Sequence, residues 1–201
     1  MSYTSIINIQ DLAKHIGDSN WVIIDCRFDL ADPEAARIRY NESHLPEAIY
    51  AHLDEDLCGE IIPGKTGRHP LPKVEDVVET LGEWGITSGI QVVTYDDKGG
   101  ALAAGRLWWM LRWLGHNSVA ILNGGWQHWV EMNLPISRDI ETRSPQTFTP
   151  IIRSDLIVNT DRVMEMIIDP NSLVFDSRIL ERYRGEFEPI DPVSYTHLTL
   201  P

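Results

Sequence analysis

Trp21-Val22-Ile23-Ile24-Asp25-Cys26-Arg27 is a short apolar run closed by Asp-x-Arg. Four apolar residues without alternation suit a strand covered on both faces, as in a parallel sheet packed between helices. The flanks agree. Upstream, Ile9, Leu12, Ala13 and Ile16 keep helical spacing, with Asn8 as cap and Gly17 as stop. Downstream, Val74, Val77, Val78, Leu81 and Trp84 line one helical face that Gly85 ends, and Gln91-Val92-Val93-Thr94-Tyr95 follows as a strand. Leu107, Met110, Leu111 and Leu114 predict another helix closed by Gly115, Val119–Leu122 a strand, and residues 126–132 a short helix. Apolar strands alternating with helices define an α/β fold with a mostly parallel central sheet flanked by helices.

The same phrase returns further along. Ser172-Leu173-Val174-Phe175-Asp176-Ser177-Arg178 repeats the apolar run and its Asp-x-Arg ending, and Arg39-Tyr40 is echoed by Arg182-Tyr183. Repetition at a distance of about 150 residues reads as two copies of one domain, not as a solenoid of short units. Residues 1–138 are therefore read as a complete first domain and 139–153 as a linker in which Pro145 and Pro150 interrupt the apolar periodicity. Residues 154–201 are the truncated start of the second copy, expected to open with a helix over Thr160–Ile168 and a strand over residues 173–176. A piece of that size rarely holds a core alone.

Thirty acidic against 17 basic residues leave a formal charge of −13, which repels nucleic acid and anionic lipid. A small anion can still be held where arginines converge, as at Arg178, Arg182 and Arg184. No apolar stretch approaches the roughly 18 residues needed to span a bilayer. The start, Met1-Ser2-Tyr3-Thr4, lacks the basic and apolar regions of a secretion signal, so a cytoplasmic location is expected. Cys26 and Cys58 form no C-x-x-C pair and are expected as free thiols.

Several motifs compete for the chemistry. Residues 59–66 spell the phosphate-binding pattern G-x-x-x-x-G-K-T, but Pro63 has no N–H to offer a phosphate and Gly67-Arg68-His69-Pro70 cannot begin a helix, so nucleotide binding is rejected. Tyr95-Asp96-Asp97-Lys98-Gly99-Gly100 joins a strand to a helix through a glycine-rich turn, the form of an anion or nucleophile cradle. It equally suits an ordinary turn in which Asp96 or Asp97 caps the helix, its carboxylate then excluding an anion. Six residues beyond Cys26 stands Asp32, and six beyond Cys58 stands Gly64, so neither thiol has the arginine of a phosphatase loop. Trp108, Trp109, Trp113, Trp126 and Trp129 are read as core, and the seven histidines show no ligand spacing, so no metal is expected. Asp176, Arg178 and Arg182 place two guanidinium groups at the C-terminal end of the expected strand, where open α/β sheets bind ligands. An Asp–Arg ion pair holding the loop is the other reading, and both can hold at once.

Asp25-Cys26-Arg27, Arg39-Tyr40, Ser43-His44-Leu45-Pro46-Glu47-Ala48, Arg106-Leu107-Trp108-Trp109 and Leu122-Asn123-Gly124-Gly125-Trp126 together resemble the tandem-domain rhodanese family, the thiosulfate and 3-mercaptopyruvate sulfurtransferases. The resemblance runs from the N-terminus to about Val193. It implies two similar α/β domains, of which only the second carries a catalytic cysteine. That cysteine takes sulfane sulfur from a small anionic donor as a persulfide and yields it to a thiophilic acceptor such as cyanide, without organic cofactor or metal. It further implies that Asp96 stands at the first domain's equivalent of the cysteine, that Arg178 and Arg182 bind the donor, that Asp25, Arg27 and Asp176 are structural, and that the nucleophile lies beyond residue 201. Glu47 departs from the family's Gly-His-Ile-Pro-Gly-Ala by replacing a glycine, which is expected to strain that turn. Residues 194–201 do not resemble the family's continuation and read as foreign to it. A non-catalytic rhodanese-like binding or regulatory module is the alternative function.

Overall fold

The computed structural model describes residues 2–63 and 65–187. The chain forms two compact units, Met1–Gly59 with Leu71–Arg153, and Glu60–Pro70 with Ser154–Pro201. In the first unit five strands, β1 (Ile6–Ile7), β2 (Trp21–Asp25), β3 (Ala48–Tyr50), β4 (Gln91–Tyr95) and β5 (Val119–Leu122), make one sheet in the order β1-β5-β4-β2-β3. Every pairing is parallel. Each residue of β2 and β4 is buried, the polar Asp25, Gln91 and Thr94 included, as in a parallel sheet covered on both faces. The two central strands run in register from Trp21 opposite Gln91 to Asp25 opposite Tyr95.

Helices α1 (Ile9–Leu12), α2 (Pro33–Glu42), α3 (Leu53–Asp56), α4 (Val74–Glu83), α5 (Ala103–Trp113) and α6 (Gly125–Glu131) accompany this sheet. Asn8 caps α1 by accepting the Asp11 N–H at 2.8 Å, and the turn runs on as a 3-10 helix over Ala13–His15. The α4 stripe buries Val77 and Leu81, and the α5 stripe buries Leu107, Met110 and Leu111. Sequence periodicity does not find β1, α2, β3 and α3. The α2 helix buries only Ala36 and Tyr40, so its apolar stripe is too thin to register, although Asp32 as cap before Pro33 is a legible start signal. Strand β3 is three residues long.

Two local features follow from backbone geometry. Glu47 adopts the left-handed φ of 62° that its glycine-like place in the motif demands, and its N–H donates to Glu141 Oε1 at 3.1 Å. Glu47→Gly is therefore expected to stabilise the first unit by about 1 kcal/mol, read as a higher urea midpoint; a lower midpoint would show that the glutamate side chain earns its place. The extended stretch before residue 153 lies along the same unit. Gln146 N–H donates to Gly82 O at 2.8 Å, Ile151 N–H to Leu114 O at 2.8 Å, and Phe148 is buried. A Cβ on Gly82 would meet Gln146 O at 2.7 Å, which explains a glycine inside α4.

In the second unit, α7 (Thr160–Ile168) forms as expected, with Asn159 accepting the Arg162 N–H, and a short α8 (Leu180–Tyr183) follows. Residues 173–176 correct the expectation: they form no strand, and Leu173 and Phe175 are 77% and 84% exposed. Every strand among the described residues comes from the first unit, so among them this apolar run finds no strand to pair with. Residues 194–201, whose continuation reads as foreign, lie outside the described residues. Among the described residues no helix is long and apolar enough to cross a membrane.

Candidate functional site

After β2 the chain adds β3 on one side and then β4 on the other, so it changes direction between β2 and β4. In open parallel sheets the crevice at the C-terminal ends of such strands is where ligands bind. Two loops meet there, the one opening with Asp25-Cys26-Arg27 and the one from Asp96 to Leu102. The Cys26 N–H donates to Tyr95 O at 2.8 Å, and Trp126 N–H to Asp96 O at 3.0 Å.

Asp25 and Arg27 form a buried fork. Arg27 Nε lies 3.1 and 2.9 Å from the two Asp25 carboxylate oxygens, Nη2 donates to Oδ2 at 2.7 Å, and the Arg27 backbone N–H donates to Oδ1 at 2.9 Å. Nη2 also donates to Ser43 O, and the guanidinium rests 4.3 Å above the Trp126 ring. Tyr95 OH donates to Asp25 Oδ2 at 2.6 Å while accepting the Leu45 N–H. Arg27 is 2% exposed and Asp25 fully buried. Burial opposes the Arg27 charge, but Asp25 outweighs it and the group is held more firmly protonated than usual. Burial, reinforced by Asp25, pushes the Tyr95 phenol well above its ordinary range, so it stays a donor. This network ties together the end of β2, β4, the turn after α2 and the start of α6.

Asp96 fills the neighbouring cradle with its own side chain. Oδ1 accepts N–H groups of Lys98 at 2.8 Å and Gly100 at 2.7 Å; Oδ2 accepts those of Leu102 at 3.2 Å and Ala104 at 3.3 Å. Leu102, the residue before α5, makes no side-chain cap of its own, so Asp96 caps the helix from upstream. Gly99 and Gly100 turn the loop at φ of 66° and 85°, and a Cβ on Gly100 would strike Ile121. The loop has the shape of an anion cradle, and a carboxylate of the chain already occupies it.

Burial holds both thiols toward their protonated form. Cys26 is fully buried, and burial first, then Asp25 and Asp96, push it well above the ordinary thiol value. Burial raises half-buried Cys58 to about 11 against a smaller opposing pull from Arg106. Among residues 59–66, the N–H groups of Lys65 and Thr66 both turn back onto Ile62 O at 3.0 Å and no helix follows, so they are unavailable to a phosphate; Gly64 lies outside the described residues. Of the tryptophans, Trp113 and Trp129 are buried, whereas Trp108, Trp109 and Trp126 are only partly so. A cleft of about 600 Å³ opens at the other edge of the sheet. It is lined by residues that lead into β2 and β4, such as Ser19 and Ile90, and lacks the loops just described.

The second unit repeats the fork. Arg178 N–H donates to Asp176 Oδ1 at 2.9 Å, and Nε stands 3.0 and 2.9 Å from the two carboxylate oxygens, with Nη2 on Oδ2. These are the contacts of Asp25 with Arg27 reproduced atom for atom, though here partly exposed. The Arg178 pairing lowers Asp176 to about 2. Arg182 follows one turn later in α8.

A five-stranded parallel α/β sheet with a cradle loop after one central strand and an Asp-x-Arg fork after its neighbour defines the class of domain. The chain belongs to the rhodanese family: residues 8–132 match the rhodanese-like domain. A probable 3-mercaptopyruvate sulfurtransferase of Pseudomonas aeruginosa is 36% identical over 195 residues, 96% of this chain and 68% of that protein. The human 3-mercaptopyruvate sulfurtransferase is 34% identical over 165 residues, and the chain spans 54% of its length. Other relatives are named thiosulfate sulfurtransferases. Among solved structures, the 3-mercaptopyruvate sulfotransferase SseA of Escherichia coli superposes with a TM-score of 0.80 at 26% identity, covering 92% of this chain and 69% of that one.

Proposed function

We propose that this chain is the leading part of a two-domain sulfurtransferase, with residues 1–138 a non-catalytic rhodanese-like domain, 139–153 the linker and 154–201 the opening of the catalytic domain. The observation that carries this is the Asp96 carboxylate on four backbone N–H groups at the nucleophile's place, while the Asp-x-Arg fork recurs at Asp176 and Arg178. In the proposed reaction a cysteine thiolate beyond residue 201 attacks the outer sulfur of thiosulfate or the sulfur of 3-mercaptopyruvate. The sulfur's bond to the donor breaks and the cysteine becomes a persulfide; sulfite leaves with the bonding pair, or pyruvate leaves as its enolate and takes up the proton released by the donor's thiol. An acceptor such as cyanide then takes the outer sulfur as thiocyanate and restores the thiolate.

Arg178 and Arg182 hold the anionic end of the donor and offset the charge that builds as sulfur moves. Asp176 fixes Arg178 in place for this task. In a protein extended through the second domain, Arg182→Gln is expected to raise the KM for donor at least ~10-fold, the scale of one charge-assisted contact. Unchanged donor kinetics in both Arg182→Gln and Arg178→Gln would overturn the assignment. The binding-module reading draws on the same Asp96 occupancy, and it would prevail if no cysteine-bearing glycine-rich loop follows in the extended sequence.

A further inference from the structure

The sequence offers no pair of histidines at metal-ligand spacing, but the fold assembles a mixed donor set at the C-terminal end of β3. Glu34 in the first turn of α2, His52 before α3 and Glu55 within α3 each present one donor atom, all within 4.8 Å of one another. His52 is the rigid member. Its ring is 4% exposed and meets Phe28 and Tyr50 edge-on, while its backbone N–H donates to Asp56 Oδ2 at 2.6 Å. Nδ1 accepts a long 3.3 Å bond from Glu55 N–H and stands 4.0 Å from Glu55 Oε1, and the buried Nε2 has no hydrogen-bond partner. Nδ1 is therefore the nitrogen on the carboxylate side, and the hydrogen bond it now accepts is a long one that a metal ion would replace.

A cation already visits the two carboxylates. Arg37 donates from Nε to Glu34 Oε2 at 3.2 Å and from Nη2 to Glu55 Oε2 at 2.6 Å. Its side chain is 37% exposed, and it lies 5.5 Å from the Tyr50 ring, so it can swing into solvent without disturbing the core. Swinging it out leaves two carboxylates and one imidazole with donor atoms within 4.8 Å of one another.

The geometry points to a binding site for a divalent transition-metal ion of the zinc class, held by Glu34, His52 and Glu55, with Arg37 as the internal cation that the metal displaces. One imidazole and two carboxylates with open positions match the mixed nitrogen and oxygen preference of Zn²⁺ and its neighbours better than the all-oxygen shells of Ca²⁺ or Mg²⁺. The site lies in the first unit, and its existence does not depend on the sulfurtransferase reading.

The test is titration of the metal-free, untagged 201-residue chain with ZnCl₂ against a chromogenic chelator, with Co²⁺ absorption reporting coordination. One equivalent is expected to bind saturably. Glu34→Gln, at a side chain 63% exposed, should weaken it by at least ~10-fold, whereas Arg37→Ala should tighten it by about 10-fold by removing a like charge some ångströms away. His52→Asn keeps a residue able to cap α3 and should abolish the Co²⁺ bands. Absence of saturable uptake, uptake indifferent to Glu34→Gln, or binding weakened by Arg37→Ala would each overturn the proposal.

Discussion

Asp25→Ala is expected to cost about 3–5 kcal/mol, because it strands the Arg27 guanidinium in the core without its counter-charge. Arg27 is 2% exposed and Asp25 accepts from its Nε, its Nη2, its backbone N–H and the Tyr95 hydroxyl, so one truncation orphans donors from β4 and from the loop after β2. Against a typical total of about 5–15 kcal/mol, a loss of that size leaves the first unit near its unfolding limit. Urea unfolding followed by circular dichroism measures it, with Tyr95→Phe as a milder companion at about 1–3 kcal/mol. A cost below about 1 kcal/mol for Asp25→Ala would mean that Arg27 finds water or another acceptor, and that the buried fork does little to fix the loops that follow β2 and β4.

Asp96→Gly should empty the cradle. Four N–H groups lose their acceptor and α5 loses its cap, for an expected cost of about 2–4 kcal/mol. The vacated loop then presents N–H groups and a helix start to solvent, the arrangement that binds small anions. Sulfate should therefore recover part of the lost stability, beyond the general effect of sulfate on the unsubstituted chain. Equal responses to sulfate in both proteins would show that the loop collapses once its carboxylate is gone.

What the sequence made legible follows from how local each signal is. Trp21–Asp25, Gln91–Tyr95 and Val119–Leu122 are mostly apolar runs, and they form strands at those bounds. The run at residues 173–176 looks the same yet forms none, because a parallel strand exists only beside another and the described residues supply no neighbour. Helix α2 escaped because its buried face is two residues, and β3 because three residues carry no pattern. In the site, the repeated Asp-x-Arg was visible as spelling, but its meaning as a four-contact fork needed coordinates. Asp96 was legible as a cap or a cradle; only the N–H groups of Lys98, Gly100, Leu102 and Ala104 converging on it show that it is both. The Glu34, His52 and Glu55 cluster was invisible because α2 and α3 were.

In the proposed function these 201 residues hold the scaffold and the anion-binding arm of a sulfurtransferase but no activated thiol. Incubation of the chain with thiosulfate or 3-mercaptopyruvate, followed by intact-mass analysis and by thiocyanate detection after cyanide is added, tests it directly. The account predicts no added sulfur on Cys26 or Cys58 and no thiocyanate above an unrelated-protein control. A persulfide on either cysteine, with turnover to thiocyanate, would contradict it.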